Sequence, residues 1–190
     1  VSDDDRTRWD AKYADRGVPS PEAIGPAAVF TAFRDEFPVA GHAVDVACGP
    51  GTAAVWLARR GLRVRGFDVS PVALEQARAL AAGSGVGDRC RFELADLDGG
   101  LPDGPPADVV YCARFRDGRL DAGMIERLAP GGLLAVTALS QVGSATGRFR
   151  AAPGELRRAF AGLEVIADGE GEGLAWLLAR RRTGAAPATG

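Results

Sequence analysis

Ala43-Val44-Asp45-Val46-Ala47-Cys48-Gly49-Pro50-Gly51-Thr52 decides the fold of this chain. Five residues of strand character run into two glycines, and Thr52 then opens a segment that reads as a helix to Arg60. Gly61 stands where a helix ends in a left-handed residue. Strand, glycine turn and helix in that order make the first half of a βαβ unit, the building block of a parallel sheet. Gly49-Pro50-Gly51-Thr52-Ala53-Ala54 also fits G-x-G-x-x-G/A, a turn that brings backbone close to a bound adenosine.

Working outward, the alternation continues. Leu62 to Phe67 reads as a second strand, and Ser70-Pro71 opens the next helix with an N-cap serine and a first-turn proline. Arg89 to Leu94 alternates polar and apolar as a third strand, and Ala107 to Cys112 is a fourth. A helix over Asp121 to Leu128 stops at Pro130-Gly131-Gly132, and Leu133 to Leu139 is a fifth strand. A helix over Pro153 to Phe160 precedes two last strands, Leu163 to Ala167 and Leu174 to Ala179. The link between these two is too short for a crossover helix, so they form an antiparallel hairpin. The expected fold is α/β: a Rossmann-like, mostly parallel sheet with helices on both faces and a C-terminal antiparallel hairpin. Upstream, two helices are expected, Asp5 to Arg16 and Pro26 to Phe37, split by Gly17-Val18-Pro19-Ser20-Pro21. Residues 1–182 are expected to make one domain with residues 1–40 as a helical lid, and residues 183–190 a flexible tail.

The bulk numbers suit a soluble domain: 190 residues, 46% apolar, 25% charged. A net charge of −2 provides no field toward nucleic acid or an anionic membrane, so neither is expected as a partner. No apolar run reaches the ~18–20 residues of a membrane span, and no secretory leader is expected. Cys48, Cys90 and Cys112 are odd in number and far apart, and with only His42 beside them no metal site is expected. A reduced, cytoplasmic setting follows.

Both a nicotinamide dinucleotide and S-adenosylmethionine fit the glycine turn, and Asp68, 17 residues after Gly51, serves a ribose in either. Three features favour S-adenosylmethionine. Asp45 lies just under the loop, where a carboxylate suits an ammonium and a sulfonium but repels a pyrophosphate. About forty residues precede the first strand, whereas a dinucleotide domain begins with it. The third strand ends in Ala95-Asp96-Leu97-Asp98, which offers an acceptor to an adenine amino group.

The run Val44 to Thr52 resembles motif I of the class I S-adenosylmethionine-dependent methyltransferases, with Ala47 in place of the usual first glycine. Gly66-Phe67-Asp68-Val69-Ser70-Pro71 is similar to their acidic ribose turn and Asp96-Leu97 to their adenine contact. Ala107 to Tyr111, Leu128 to Leu133 and the opening Trp9-Asp10-Ala11-Lys12-Tyr13 continue the likeness. Ala113-Arg114-Phe115 and Pro153-Gly154-Glu155-Leu156 resemble the tellurite-resistance and thiopurine-like small-molecule branch, although Arg116-Asp117-Gly118 departs from that pattern and the loop from Ser140 to Ala152 is shortened. The resemblance implies S-adenosylmethionine as cofactor, held by Trp9, Tyr13, Asp45, Ala47, Gly49, Gly51, Thr52, Asp68, Val69, Asp96, Leu97 and Cys112, and a small-molecule acceptor.

Plainer roles stand beside these. Asp68 also suits a helix entry, Asp45 a buried acid satisfied by loop amides, and Trp9 with Tyr13 simple packing on the sheet. Trp56 and Trp176 read as core. Arg148 and Arg150 flank Phe149 in a loop that meets an acceptor, RNA or only solvent. Arg114, directly after the fourth strand, is the candidate catalytic residue, a fork of donors for an anionic acceptor; its plain alternative is an exposed pair with Asp117 or Asp121. Methyl transfer from a sulfonium is an in-line displacement, in which alignment supplies on the order of 7–11 kcal/mol. With His42 misplaced, Lys12 the only lysine and no asparagine, no amino-group methylation site is present, and soft or pre-ionised acceptors come first. A non-catalytic S-adenosylmethionine-binding module and an NAD-binding Rossmann protein remain the alternatives.

Overall fold

The computed structural model describes residues 3–143 and 150–183. Arg148, Phe149 and residues 184–190 of the expected tail lie outside the described residues. Eight strands form one sheet: β1 (His42–Val46), β2 (Arg63–Asp68), β3 (Cys90–Leu94), β4 (Ala107–Ala113), β5 (Leu128–Ser140), β6 (Arg150–Ala151), β7 (Glu164–Gly171) and β8 (Leu174–Arg180). Their order is β3-β2-β1-β4-β5-β8-β7, with β6 pairing only β5. The pairs from β3 to β5 are parallel, while β8 runs antiparallel to both β5 and β7. The fold class and the closing hairpin are as the alternation of elements implies.

Each face of the sheet has its own core. Helices α2 (Thr52–Arg59) and α3 (Pro71–Gly83) pack with Val64, Val109 and Tyr111 on one face. Helices α4 (Asp121–Arg127) and α5 (Glu155–Ala159) pack with Val46, Val110 and Val136 on the other. The split follows from strand parity, which sends neighbouring side chains to opposite faces. The chain order reverses between β1 and β4, so a crevice opens at their carboxyl ends.

Two expectations change. The segment Pro26 to Phe37 is not a regular α-helix: Ala28–Glu36 forms 3-10 turns with a kink at Phe33. Its Phe30 and Phe37 are buried beside Tyr111, Trp56 and Trp176, so the segment is core rather than lid. Helix α1 (Asp3–Arg16), with Gly17, Pro19 and Ala23 after it, borders the crevice instead. The fifth strand begins at Leu128 instead of Leu133, because Ala107 pairs Leu128 while Val109 pairs Leu133, and Pro130-Gly131-Gly132 bulge out between. Arg181 holds the bulge by exchanging backbone bonds with Gly131 and Gly132.

Arg116 pins α4 and α5 to the loop after β4. It is 7% exposed, forks onto both oxygens of Asp121 at 2.6 and 2.8 Å, and donates from Nε to Glu155 at 2.7 Å. Removing one partner of a buried ion pair strands the others and costs roughly 3–5 kcal/mol. Arg116→Met is therefore expected to lower unfolding free energy in urea titrations by about 3 kcal/mol; a loss near that of an exposed pair, about 0–1 kcal/mol, contradicts this.

Candidate active site

The crevice is a cavity of about 680 Å³, within the ~300–1,000 Å³ of small-molecule sites. Its floor is the loop from Ala47 to Ala53, and its walls come from α1, the end of β2 and the loop after β4. The backbone of that loop is bent through the left-handed region at Ala47 (φ 53°), Gly49 (φ 52°) and Gly51 (φ 80°). Gly49 has a second reason to be glycine, since a Cβ there would sit 2.9 Å from the Tyr13 hydroxyl. Gly51 caps α2 and presses on α3, where a Cβ would stand 2.8 Å from that of Ala77. Ala47 tolerates the conformation at a cost of ~1–2 kcal/mol.

Asp68 closes the end of β2. Its Oδ2 accepts from the Gly49 amide at 2.8 Å and its Oδ1 from the Ser70 amide at 2.9 Å. Burial pushes its pKa up, against those backbone bonds. The carboxylate thus both faces the cavity and holds the glycine loop, so the fold also depends on it. Ser70 accepts from the Ala73 amide at 3.1 Å as the N-cap of α3, as its sequence position implies.

Asp45 is 2% exposed and lines the cavity floor. Its Oδ2 is buried and has no hydrogen-bond partner among the described residues. Burial first, and the nearby Asp68 charge second, push its pKa up to about 8. An acid left in that state faces a cationic group or keeps its proton.

Trp9 and Tyr13 stack with ring centroids 5.8 Å apart and both line the cavity. Tyr13 is tied down, because its carbonyl accepts from Gln76 Nε2 on α3 at 2.7 Å. Asp10 of α1 bonds the Ser70 hydroxyl. Lys12 and Arg16 line the same cavity, and sequence reasoning missed them. The signal was present: residues 9, 12, 13 and 16 recur at the i, i+3, i+4, i+7 spacing of one helix face. Lys12 sits 4.1 Å over the Trp9 ring, and its pKa is lowered by burial, then by Arg16, Arg114 and Arg8. Gln76 was also missed; it is 8% exposed with its Oε1 unpartnered.

Arg114 lines the cavity from the loop after β4. Its φ of 57° is unusual for a large residue, and its amide is held by Thr137 O at 2.8 Å and Oγ1 at 3.0 Å. The expected alternative partners are occupied elsewhere: Asp117 pairs with Arg119 and Asp121 with Arg116. Phe115 and Leu139 complete that wall.

Thr52, Val69 and Leu97 also line the cavity, whereas Asp96 stands exposed at its rim, its carboxylate accepting from the Asp98 amide at 3.0 Å. Cys112 does not reach the cavity. It pairs in register with Val46 on the face of α4 and α5, and its thiol, pushed up to about 12 by burial, points to Phe115 O. Strand parity is the reason: Asp45 pairs Tyr111, so Tyr111 and not Cys112 shares the Asp45 face. His42 lies at the other end of β1, its amide donating to Asp108, and takes no part. Trp56 is core, and Trp176 is half-buried against Phe30 and Phe33. Among the described residues no cluster of potential metal ligands is found, and no helix is long and apolar enough to cross a membrane.

Residues 43–132, which hold the glycine loop, Asp68 and β4, match the family model described as a methyltransferase domain. Over that stretch the chain is similar to methyltransferase domains, which use S-adenosylmethionine as methyl donor. A relative, trans-aconitate 2-methyltransferase of Streptomyces coelicolor, is 41% identical over 98 residues, which are 48% of this chain and 32% of that protein. The match thus spans about a third of that relative's length. In fold, the domain is similar to the CcbJ methyltransferase of Streptomyces caelestis, with a TM-score of 0.69 and 19% identity, covering 92% of this chain and 98% of that one. It is similar also to TehB of Haemophilus influenzae, with a TM-score of 0.66 and 17% identity over 90% of this chain and 62% of that one.

The Asp45 proton sets a pH dependence. The unfolded chain releases it near pH 3.9, whereas the folded protein holds it to about pH 8. The folded state binds the extra proton between those values, so stability falls as pH rises through that window. Asp45→Asn cannot ionise. Its melting temperature is expected to gain on that of the unsubstituted protein between about pH 5 and about pH 8. Parallel melting profiles for the two proteins refute a held proton at Asp45.

Proposed function

We propose that this protein moves the methyl group of S-adenosylmethionine to a small anionic or soft acceptor. The observation that carries the reading is the division of charge in one cavity: orphaned Asp45 on the floor, and Lys12, Arg16 and Arg114 at the mouth. S-adenosylmethionine supplies an activated methyl carbon on a sulfonium. Asp68, with Val69 and Leu97, would hold its adenosine end. Asp96 would meet the adenine from the rim, and Asp45 with the Gly49 backbone would take the ammonium. Trp9 and Tyr13 would cover the methionine end and exclude water. The unpartnered acid under the loop also argues against a pyrophosphate, and so against the NAD reading.

The residues left over face the acceptor. Three cations in one wall raise the local concentration of an anion and orient it. Arg114 offers two coplanar donors to an anion. No histidine reaches the cavity, and an acceptor already ionised needs no general base. Carboxylates, thiolates and selenium or tellurium oxyanions meet that condition. The Streptomyces coelicolor relative, by its name, acts on trans-aconitate, a carboxylate, which supports the anionic reading.

S-adenosylhomocysteine at ~100 times its dissociation constant is expected to add about 2.7 kcal/mol of stability, and NAD none. Asp68→Asn should weaken that binding about ten- to 150-fold, the worth of a charge-assisted hydrogen bond. Stabilisation by NAD alone, or unchanged calorimetric affinity in the variant, overturns the cofactor assignment.

The acceptor is tested by S-adenosylhomocysteine release across a panel of carboxylates, thiols, selenite, tellurite, thiopurines and phenols. With the best acceptor, Arg114→Met should lose most of kcat/KM while donor affinity holds, and Arg114→Lys should recover part of it. Wild-type turnover in both variants removes Arg114 from the site; donor binding with turnover of no panel member returns the non-catalytic alternative.

A further inference from the structure

A second cavity, of about 250 Å³, lies at the amino ends of β1 to β4, the opposite edge of the sheet from the donor site. It is strongly cationic. Arg63, Arg65, Arg89, Arg91 and Arg127 line it, against a single lining acid, Asp88. The register explains part of the cluster, because Arg65 pairs Arg91 across the parallel β2–β3 ladder, which puts both side chains on one face. Arg127, the last residue of α4, covers that face from above.

The hydrogen bonds of these arginines leave a donor unused. Arg127 is 9% exposed; its Nη2 donates to Pro102 O at 2.5 Å. Its Nη1 is buried without an acceptor among the described residues. Arg65 donates from Nη1 to Asp103 O at 3.0 Å and from Nε to Glu93 at 2.9 Å. Glu93 is itself shared, with Arg91 at 3.2 Å. The two guanidiniums meet beside Gly104: a Cβ there would collide with Arg65 Nη1 and lie 3.2 Å from Arg127 Nη1. Arg127, held by one backbone carbonyl, and Arg65, held by a backbone carbonyl and a carboxylate it shares with Arg91, thus meet beside Gly104. Arginine cannot shed its proton to escape this repulsion, and burial together with the Arg65 charge already lowers the Arg127 pKa. What balances such a pair is an anion.

We propose that this cavity binds a phosphate group, with Arg127 and Arg65 as its principal donors and Arg63 and Arg91 at its mouth. A carboxylate has two oxygens whose acceptor directions lie in one plane, so it suits a single coplanar fork. A phosphate group is tetrahedral and takes donors from separate directions, as two forks on different elements supply them. The cavity lies below the ~300 Å³ at which organic ligand pockets begin, so the ligand is free phosphate or the phosphate end of a small monoester. The site is remote from the glycine loop and does not depend on the methyltransferase reading.

The test is calorimetric titration with inorganic phosphate, glycerol phosphate and acetate in turn, at matched ionic strength. Inorganic phosphate is expected to bind saturably at one site per chain. Arg127→Met and Arg127→Lys should each weaken it at least about tenfold, the lysine variant keeping the charge and a folded circular-dichroism spectrum while losing the fork. Tighter glycerol phosphate assigns the site to a monoester, and equal or weaker binding assigns it to free phosphate. Acetate binding as tightly as phosphate, no saturable phosphate binding, or unchanged phosphate affinity in a folded Arg127 variant overturns the proposal.

Discussion

The carboxylate of Asp68 is the joint on which the site is built. One oxygen takes the Gly49 amide, the other the Ser70 amide, and so the loop after β1 and the turn after β2 become one piece. Ser70 passes the connection on, to the Ala73 amide in α3 and to Asp10 in α1. The glycine loop needs such a hold. Its left-handed residues cost conformational free energy, and nothing in the loop itself fills a core. A backbone bond from the Cys48 amide to Phe67 O at 2.9 Å runs parallel to the Asp68 contact and keeps the same two strand ends together. A carboxylate buried for this purpose is costly, which is why its bonds are short, two in number and to backbone donors.

That joint also explains the charge pattern above it. Once Asp68 is spent on the loop, the acid beneath, Asp45, has one oxygen without a partner and feels a like charge beside it. A cation brought beside Asp45 would help it release the proton that it holds to about pH 8, so the floor favours a cation. The mouth has the reverse sign, because the i, i+4 pair Lys12 and Arg16 and the loop residue Arg114 all reach it. Under the function proposed above, two ligands of opposite local charge would be sorted by depth, with a cationic centre below and an anionic group above. The separation of sign within one cavity is a stronger discriminator than the net charge of −2, which averages it away.

The succession of strands and helices along the chain and the glycine loop were legible because each follows from a local period or a turn that one stretch of residues contains. The α1 face was legible too, and reading Trp9 and Tyr13 without Lys12 and Arg16 used only half of its period. Cys112 shows what a single strand cannot reveal: its position near the expected donor was right along the strand, but its face depends on register with β1. The 3-10 turns at Ala28–Glu36 come from burying Phe30 and Phe37 against Tyr111, a tertiary demand that helix periodicity does not encode. The bulge at Pro130-Gly131-Gly132 is of the same kind, held by Arg181 some fifty residues away. Arg116 had been a departure from a family pattern, and its meaning lies in Glu155, 39 residues on.

Arginine supplies nearly all the positive charge here, so its functional and structural members have to be separated by their partners and not by their type. Arg116 is buried and meets carboxylates on both sides, which makes it a clamp. Arg119 sits between Asp98 and Asp117 at the surface, where the pair contributes little. Arg114 faces a cavity from a left-handed backbone position, with the acids next to it already engaged. Arg127 is buried with a donor unspent and a second guanidinium beside it. A chain that folds on its own gains nothing from the last arrangement, since a buried guanidinium donor without an acceptor costs free energy in proportion to its burial, whereas Arg114 is exposed. Arg114 and Arg127 both sit against cavities, at opposite ends of the same parallel strands, and for each the ligand proposed above is an anion.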